Sequence, residues 1–141
     1  AMSCDIRIAA ESAKFGFPEA DVGLTITTAG TKLLAQIVGL GKAKELVFTG
    51  DFIDAHEALK IGLANKVVAA ESLLDESMAM ARRIGEKSPL ALKLSRIAID
   101  QGLHSSFEQT LEMEAGHLLI CAGAQNQQRF VERKLEKMKE K

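Results

Sequence analysis

Apolar residues recur at helical spacing along most of this chain, and only a few short stretches alternate as a strand does. Ile6, Ile8 and Ala10 alternate with Asp5, Arg7 and Ala9, which predicts a strand from about Cys4 with one apolar face. Thr27 or Thr28 is placed to N-cap a helix through Ile37 and Val38, with Gly39 and Gly41 ending it. Asp54-Ala55-His56-Glu57 reads as a capping box opening a short helix that stops at Gly62, after which Val67 and Val68 are β-prone. From Leu73 onward the pattern is helical throughout. Leu73, Leu74, Ser77, Met80, Ala81 and Ile84 form one stripe, and Ser88-Pro89 closes that helix and opens the next. Leu90, Leu94, Ile97 and Ala98 carry the second helix to Gly102. Ser105-Ser106-Phe107-Glu108 predicts another capping box, before a helix through Leu111, Leu118 and Ile120 that Gly123 interrupts. A charged final helix begins near Asn126. Its apolar stripe of Val131, Leu135 and Met138 runs beside Arg129, Arg133, Lys134 and Lys137, interleaved with Glu132 and Glu136, as on a solvated face with i,i+4 ion pairs.

Composition narrows the class. With 141 residues, 47% of them hydrophobic and 26% charged, the chain can build one core and does not read as disordered. A formal net charge of −1 lacks the basic excess of a nucleic-acid footprint, so no nucleic-acid partner is expected. Cys4 and Cys121 fit no metal or redox spacing, which suits a reducing cytoplasm or an organelle matrix. No apolar run is long enough to span a bilayer, so no membrane insertion is expected.

The segment richest in chemistry is Phe15-Gly16-Phe17-Pro18-Glu19-Ala20-Asp21-Val22-Gly23-Leu24, which presents one carboxyl group from a tight apolar bend. Apolar surroundings penalise the charged form of a carboxyl, and that suits a group passing a proton in both directions near neutrality. Equally, Glu19 can simply open a helical turn after Pro18, where an acid complements the helix N-terminus. Both readings stay open on the residues alone. Competing chemistries have little support. His56, His104 and His117 have no His or Cys partner at i+3 or i+4, so no metal site is expected. No G-x-S-x-G elbow is present. Gly39-Leu40-Gly41-Lys42 has Gln36 and Ala43 where a phosphate loop needs Gly and Ser/Thr, so it reads as a helix–helix turn.

Three stretches carry a family resemblance: Ala1-Met2-Ser3-Cys4-Asp5-Ile6-Arg7-Ile8-Ala9-Ala10, then Ala13-Lys14-Phe15-Gly16-Phe17-Pro18-Glu19, then Gly23-Leu24. Leu46-Val47-Phe48-Thr49-Gly50-Asp51 leads on to Ile53, Ala55 and Ala58 and to Gly62-Leu63-Ala64-Asn65-Lys66-Val67-Val68 in the order of a second signature. Together they resemble the enoyl-CoA hydratase/isomerase (crotonase) superfamily over essentially the whole chain. The resemblance implies an α/β, crotonase-like fold. Residues 1–69 would be the C-terminal part of its spiral core, and residues 70–141 its helical trimerisation and CoA-contact region.

The implied chemistry is that of acyl-CoA thioesters, whose enolate the family holds in an oxyanion hole while a carboxyl moves a proton. Glu19 would be the catalytic acid/base, with Phe17, Pro18 and Thr27 lining the substrate pocket. Phe130 and Arg133 would hold the CoA adenine and phosphates. In hydratases of the family a first catalytic Glu stands two residues before the place of Ala1, and both oxyanion-hole N–H groups lie further upstream. This chain therefore reads as the C-terminal half of such a protein. Hydration of a 2-enoyl-CoA is the first expectation, with isomerisation of a 3-enoyl-CoA or a non-catalytic assembly role as alternatives. No cofactor is expected, because the CoA thioester is the substrate, and a homo-trimer or dimer of trimers is the implied assembly. Two departures stand out. Ile26-Thr27-Thr28-Ala29-Gly30 replaces the family's Pro-Gly-x-Gly-Gly turn, where one glycine N–H helps hold the attacking water, and Gln125-Asn126 replaces an acid–Gly pair.

Overall fold

The computed structural model describes residues 1–124 and 127–139; the expectations at Gln125-Asn126 lie outside them. The chain forms two compact units, Ala1–Ala79 and a second from Met80 onward. The first contains two small sheets and three helices. Strand β1 (Ile8–Ala10) pairs in parallel with β4 (Lys66–Val68), Ala9 opposite Val67, while β2 (Lys14–Phe15) pairs antiparallel with β3 (Ile53–Asp54). Helices α1 (Gly30–Val38), α2 (Leu40–Thr49) and α3 (Ala55–Lys60) pack around a core of Ala9, Leu34, Ala43, Leu46, Ala55, Ala58, Leu63 and Ala64. Most of that core is alanine. Small side chains let helices and strands approach closely, so the core is thin and tightly closed.

β1 departs from its expected form. The strand starts at Ile8 rather than near Cys4, and the residue it buries is Ala9, with Ile6 42% exposed. Arg7 explains the shortening. Its backbone N–H donates to Asn65 Oδ1 (2.8 Å), its Nε to the Leu63 carbonyl and its Nη1 to the Cys4 carbonyl (both 2.6 Å). The Asn65 N–H returns a bond to the Arg7 carbonyl at 2.8 Å. Residues 4–7 are thereby folded into a turn, and regular pairing begins only after Arg7.

The helix starts also differ in detail. Neither Thr27 nor Thr28 caps α1. Its N-cap is Ala29, at φ 58° and ψ 15°, and no side chain bonds the helix end. Thr28 shares the left-handed region at φ 57°, and the Gly30 N–H donates to the Thr27 carbonyl at 2.9 Å, closing a tight turn of the type I′ kind. Gly39 ends α1 as expected, but Gly41 lies inside α2, a helix the periodicity did not reveal. At α3 only half of the expected box forms: Asp54 Oδ1 accepts from the Glu57 N–H at 2.8 Å, while Glu57 is drawn to Lys42 and Lys60 (each 3.4 Å). Both cations, Lys42 foremost, hold its carboxyl below the usual range.

Downstream run α4 (Leu73–Gly85), which crosses the division between the units, α5 (Pro89–Gly102), α6 (Phe107–Ala122) and α7 (Gln127–Lys139). Ser88 caps α5 as expected, accepting from the Ala91 N–H at 3.3 Å. The box at α6 is shifted by one residue to Ser106 and Gln109, because the Ser105 hydroxyl already donates to the Gln101 carbonyl of the preceding helix. None of these four helices contains a buried residue among those described. Ile99, Leu103, Phe107, Leu118 and Leu119 are each more than 60% exposed, while the expected stripe of Leu90, Leu94, Ile97 and Ala98 on α5 is half-buried.

The left-handed turn before α1 generates a prediction. An alanine in this region costs roughly 1–2 kcal/mol, part of which glycine gives back through its freer unfolded chain. Ala29→Gly should therefore raise stability by about 0.5–1 kcal/mol, seen as a higher Tm in thermal unfolding. An equal or lower Tm would show that the turn does not hold Ala29 in this conformation.

Candidate active site

Glu19 lies on a 3-10 turn, Pro18–Val22, entered from β2 through Gly16 and Phe17. Pro18 takes the first helical position, where its missing N–H costs nothing and its fixed φ is already suitable. Phe17 packs against the core, and the Leu24 N–H donates to the Glu19 carbonyl at 2.9 Å, with Gly23 left-handed at φ 72° ending the turn. The backbone that carries Glu19 is thus the helix opening that sequence allowed. Its side chain does something else. Oε2 of Glu19 is buried and has no hydrogen-bond partner. A carboxyl oxygen withdrawn from water without compensation is unfavourable for folding alone, and is what a group kept ready to exchange a proton with a ligand requires.

Phe17, Pro18 and Glu19 therefore stand together on one turn. Thr27 follows on the left-handed turn described above, exposed, with its hydroxyl 3.5 Å from that of Thr28. Phe130 and Arg133 belong to the second unit, where both line a cavity of about 860 Å³. Phe130 is half-buried there, and Leu90, Pro89, Val131 and Leu135 complete an apolar wall. Four cations (Lys87, Arg129, Arg133, Lys134) against the single acid Glu86 give the cavity a positive surplus. Glu86 is itself answered by Lys137, whose Nζ lies 2.9 Å from its Oε2; that bond, with lesser help from Lys87 and Arg133, holds its carboxyl below the usual range. The first turn of α5 also opens here through Ser88 and Pro89, adding the positive end of a helix. An aromatic face beside several cations suits a ligand joining a flat ring to phosphates.

Sequence reasoning singled out Phe130 and Arg133 but not Lys87 or the start of α5. Arg129 and Arg133 share the i,i+4 spacing that could have marked a common face; nothing local connects Lys87 to them. Among the described residues no group of three or more His, Cys, Asp or Glu could hold a metal ion, and no helix is long and apolar enough to cross a membrane.

Comparison with known proteins shows the family and the fold. A crotonyl-CoA hydratase of Syntrophomonas wolfei is 44% identical over 139 residues, covering 99% of this chain and 54% of that protein. A short-chain-enoyl-CoA hydratase of Clostridioides difficile is 42% identical over 127 residues, covering 90% of this chain and 82% of that protein. The crystal structure of an enoyl-CoA hydratase from Bacillus anthracis superposes with a TM-score of 0.92 at 32% identity, covering 96% of this chain and 53% of the other. The fold is thus that of the crotonase-type hydratases, and the chain spans about half the length of most of these relatives. The sequence profile of the enoyl-CoA hydratase/isomerase family matches residues 1–141, and the chain belongs to that family.

Proposed function

We propose that this chain is the C-terminal half of an enoyl-CoA hydratase acting on short 2-enoyl-CoA thioesters. The observation that carries the reading is the buried, unpartnered Oε2 of Glu19, set on the turn that matches the family's catalytic segment. Similarity to a crotonyl-CoA hydratase and a short-chain-enoyl-CoA hydratase supports the substrate class. In the reaction, water adds its oxygen to C3 of the 2-enoyl thioester, one of its protons passes to the first catalytic Glu that the resemblance places before Ala1, and the π electrons move toward the thioester oxygen as an enolate. Glu19 delivers a proton to C2, and the enolate electrons return to form the new C–H bond. The enolate needs oxyanion-hole donors, which the resemblance places in the portion of such proteins outside this chain. Thr27 takes the place of the glycine whose N–H helps hold the water. Phe130 and Arg133 bind the adenine and phosphates of CoA, and no cofactor takes part.

Residues 1–69 are read as the end of the spiral core. Residues 70–141 form the trimerisation region, whose exposed Ile99, Leu103, Phe107, Leu118 and Leu119 suit a homo-trimer or dimer of trimers. The free thiols of Cys4 and Cys121 fit the cytoplasm or an organelle matrix.

The 141-residue chain alone should show no enzyme-like turnover of crotonyl-CoA, because each lost oxyanion donor costs roughly 10²–10³ in rate. Spectrophotometric turnover at an ordinary enzymatic rate would contradict this. In the full-length protein, Glu19→Gln should lower kcat by about 10²–10⁴ while acyl-CoA binding persists. Unchanged kcat with only a lower Tm would return Glu19 to a purely structural role, and preference for a 3-enoyl-CoA substrate would make the protein an isomerase. Arg133→Ala should weaken CoA binding by about 1–3 kcal/mol through loss of a charge-assisted phosphate bond. Calorimetry with unchanged affinity would remove Arg133 from the site.

A further inference from the structure

Two glycines lie against the Glu19 turn and its partner link: Gly16, just before Glu19, and Gly50, in the link to β3. The β2–β3 pairing sets Phe15 opposite Ile53. One step beyond, the Phe52 ring lies close against Gly16. A Cβ at position 16 would stand 2.7, 2.8 and 2.9 Å from Cδ1, Cε1 and Cγ of Phe52, closer than carbon atoms approach one another. Cγ sits one bond from the Phe52 Cβ, so the clash is not relieved by moving the far edge of the ring; the whole ring must leave or the strands must part. At the other end of the link, the Asp21 carboxylate rests on Gly50, where a Cβ would fall 2.9 Å from Oδ2 and where φ is +67°. Gly16 precedes Glu19 and Asp21 follows it, so the link from Gly50 to Phe52 meets the Glu19 turn on both sides. Asp21 ends a flexible side chain and can swing aside, so Phe52 is the firmer of the two supports.

The Phe52 ring has a close seat on Gly16, on the approach to Glu19. We infer that Phe52 is a positioning residue: its ring, seated on Gly16, fixes the backbone from which Glu19 presents its carboxyl to the substrate. The inference rests on the reading of Glu19 as the proton carrier. Proton transfer is steeply sensitive to placement, and a shift of about 1 Å can cost on the order of 10²-fold in rate.

The test uses the full-length protein with crotonyl-CoA. Gly16→Ala should lower kcat by about 10- to 100-fold with KM within about twofold. Combining it with Phe52→Ala should bring kcat no higher than that of Phe52→Ala alone, because the clash is relieved but the ring's seat is lost. A single variant with wild-type kcat, or a paired variant with wild-type kcat, overturns the inference. If Gly16→Ala does not fold, Phe52→Ala alone decides. Lower kcat at unchanged Tm and KM supports positioning, and unchanged kcat overturns it. Amide NMR signals of Glu19 and Ala20 separate this inference from the functional reading. They should move in Gly16→Ala and in Phe52→Ala, whether or not the wild-type protein turns over substrate; signals that stay put overturn the positioning contact. A wild-type protein inactive on both 2-enoyl- and 3-enoyl-CoA would overturn the hydratase reading and leave the NMR result to judge the contact.

Discussion

Arg7 ties the beginning of the first unit to its end. Its backbone N–H and carbonyl both bond Asn65, and its guanidinium reaches the Leu63 and Cys4 carbonyls. Parallel strands need a long crossover between them, and closing such a loop is paid in chain entropy before any pairing is gained. Here the closure spans everything from β1 to β4, including the Glu19 turn and helices α1 to α3. A guanidinium with several fixed donors suits the task, because it holds register and direction at once. Without that lock a three-residue parallel pair would have little to define it.

Inside the closed loop, local chemistry sets the candidate site. Phe17 anchors on the core, Pro18 starts the turn, and Glu19 is left with a buried oxygen and nothing to bond. A fold that leaves such an atom uncompensated gives up some stability, and that loss is expected where function needs it. The strained pair Thr28 and Ala29 follows the same logic a few residues later, at the turn that resemblance assigns to the attacking water.

Much of the helical frame was legible in the sequence, because Ser88-Pro89 and Asp54 state their capping roles locally. The misses have separate causes. Thr27 and Thr28 look like caps, but the chain turns left-handed beneath them, and a dihedral choice of that kind is settled by surroundings. Gly41 looks like a terminator yet sits inside α2, since Gly39 had already made the break. Ser105 looks like half of a box but is spent on the helix before it. The Glu19 turn was readable as a carboxyl in an apolar bend. That its Oε2 would have no partner was not, because that depends on what packs around it in three dimensions.

The alanine core has a consequence for how this fold can change. Ala9, Ala43, Ala55, Ala58 and Ala64 have almost no exposed surface, so each added methylene there must push whole elements apart. Sequence drift at these positions is closed in the direction of greater size, and open only toward glycine, at a cost in chain entropy. Variation that retunes a pocket must then come from residues on the outer faces of the turns and helices. Such a protein evolves by changing what is attached to a rigid, minimal centre.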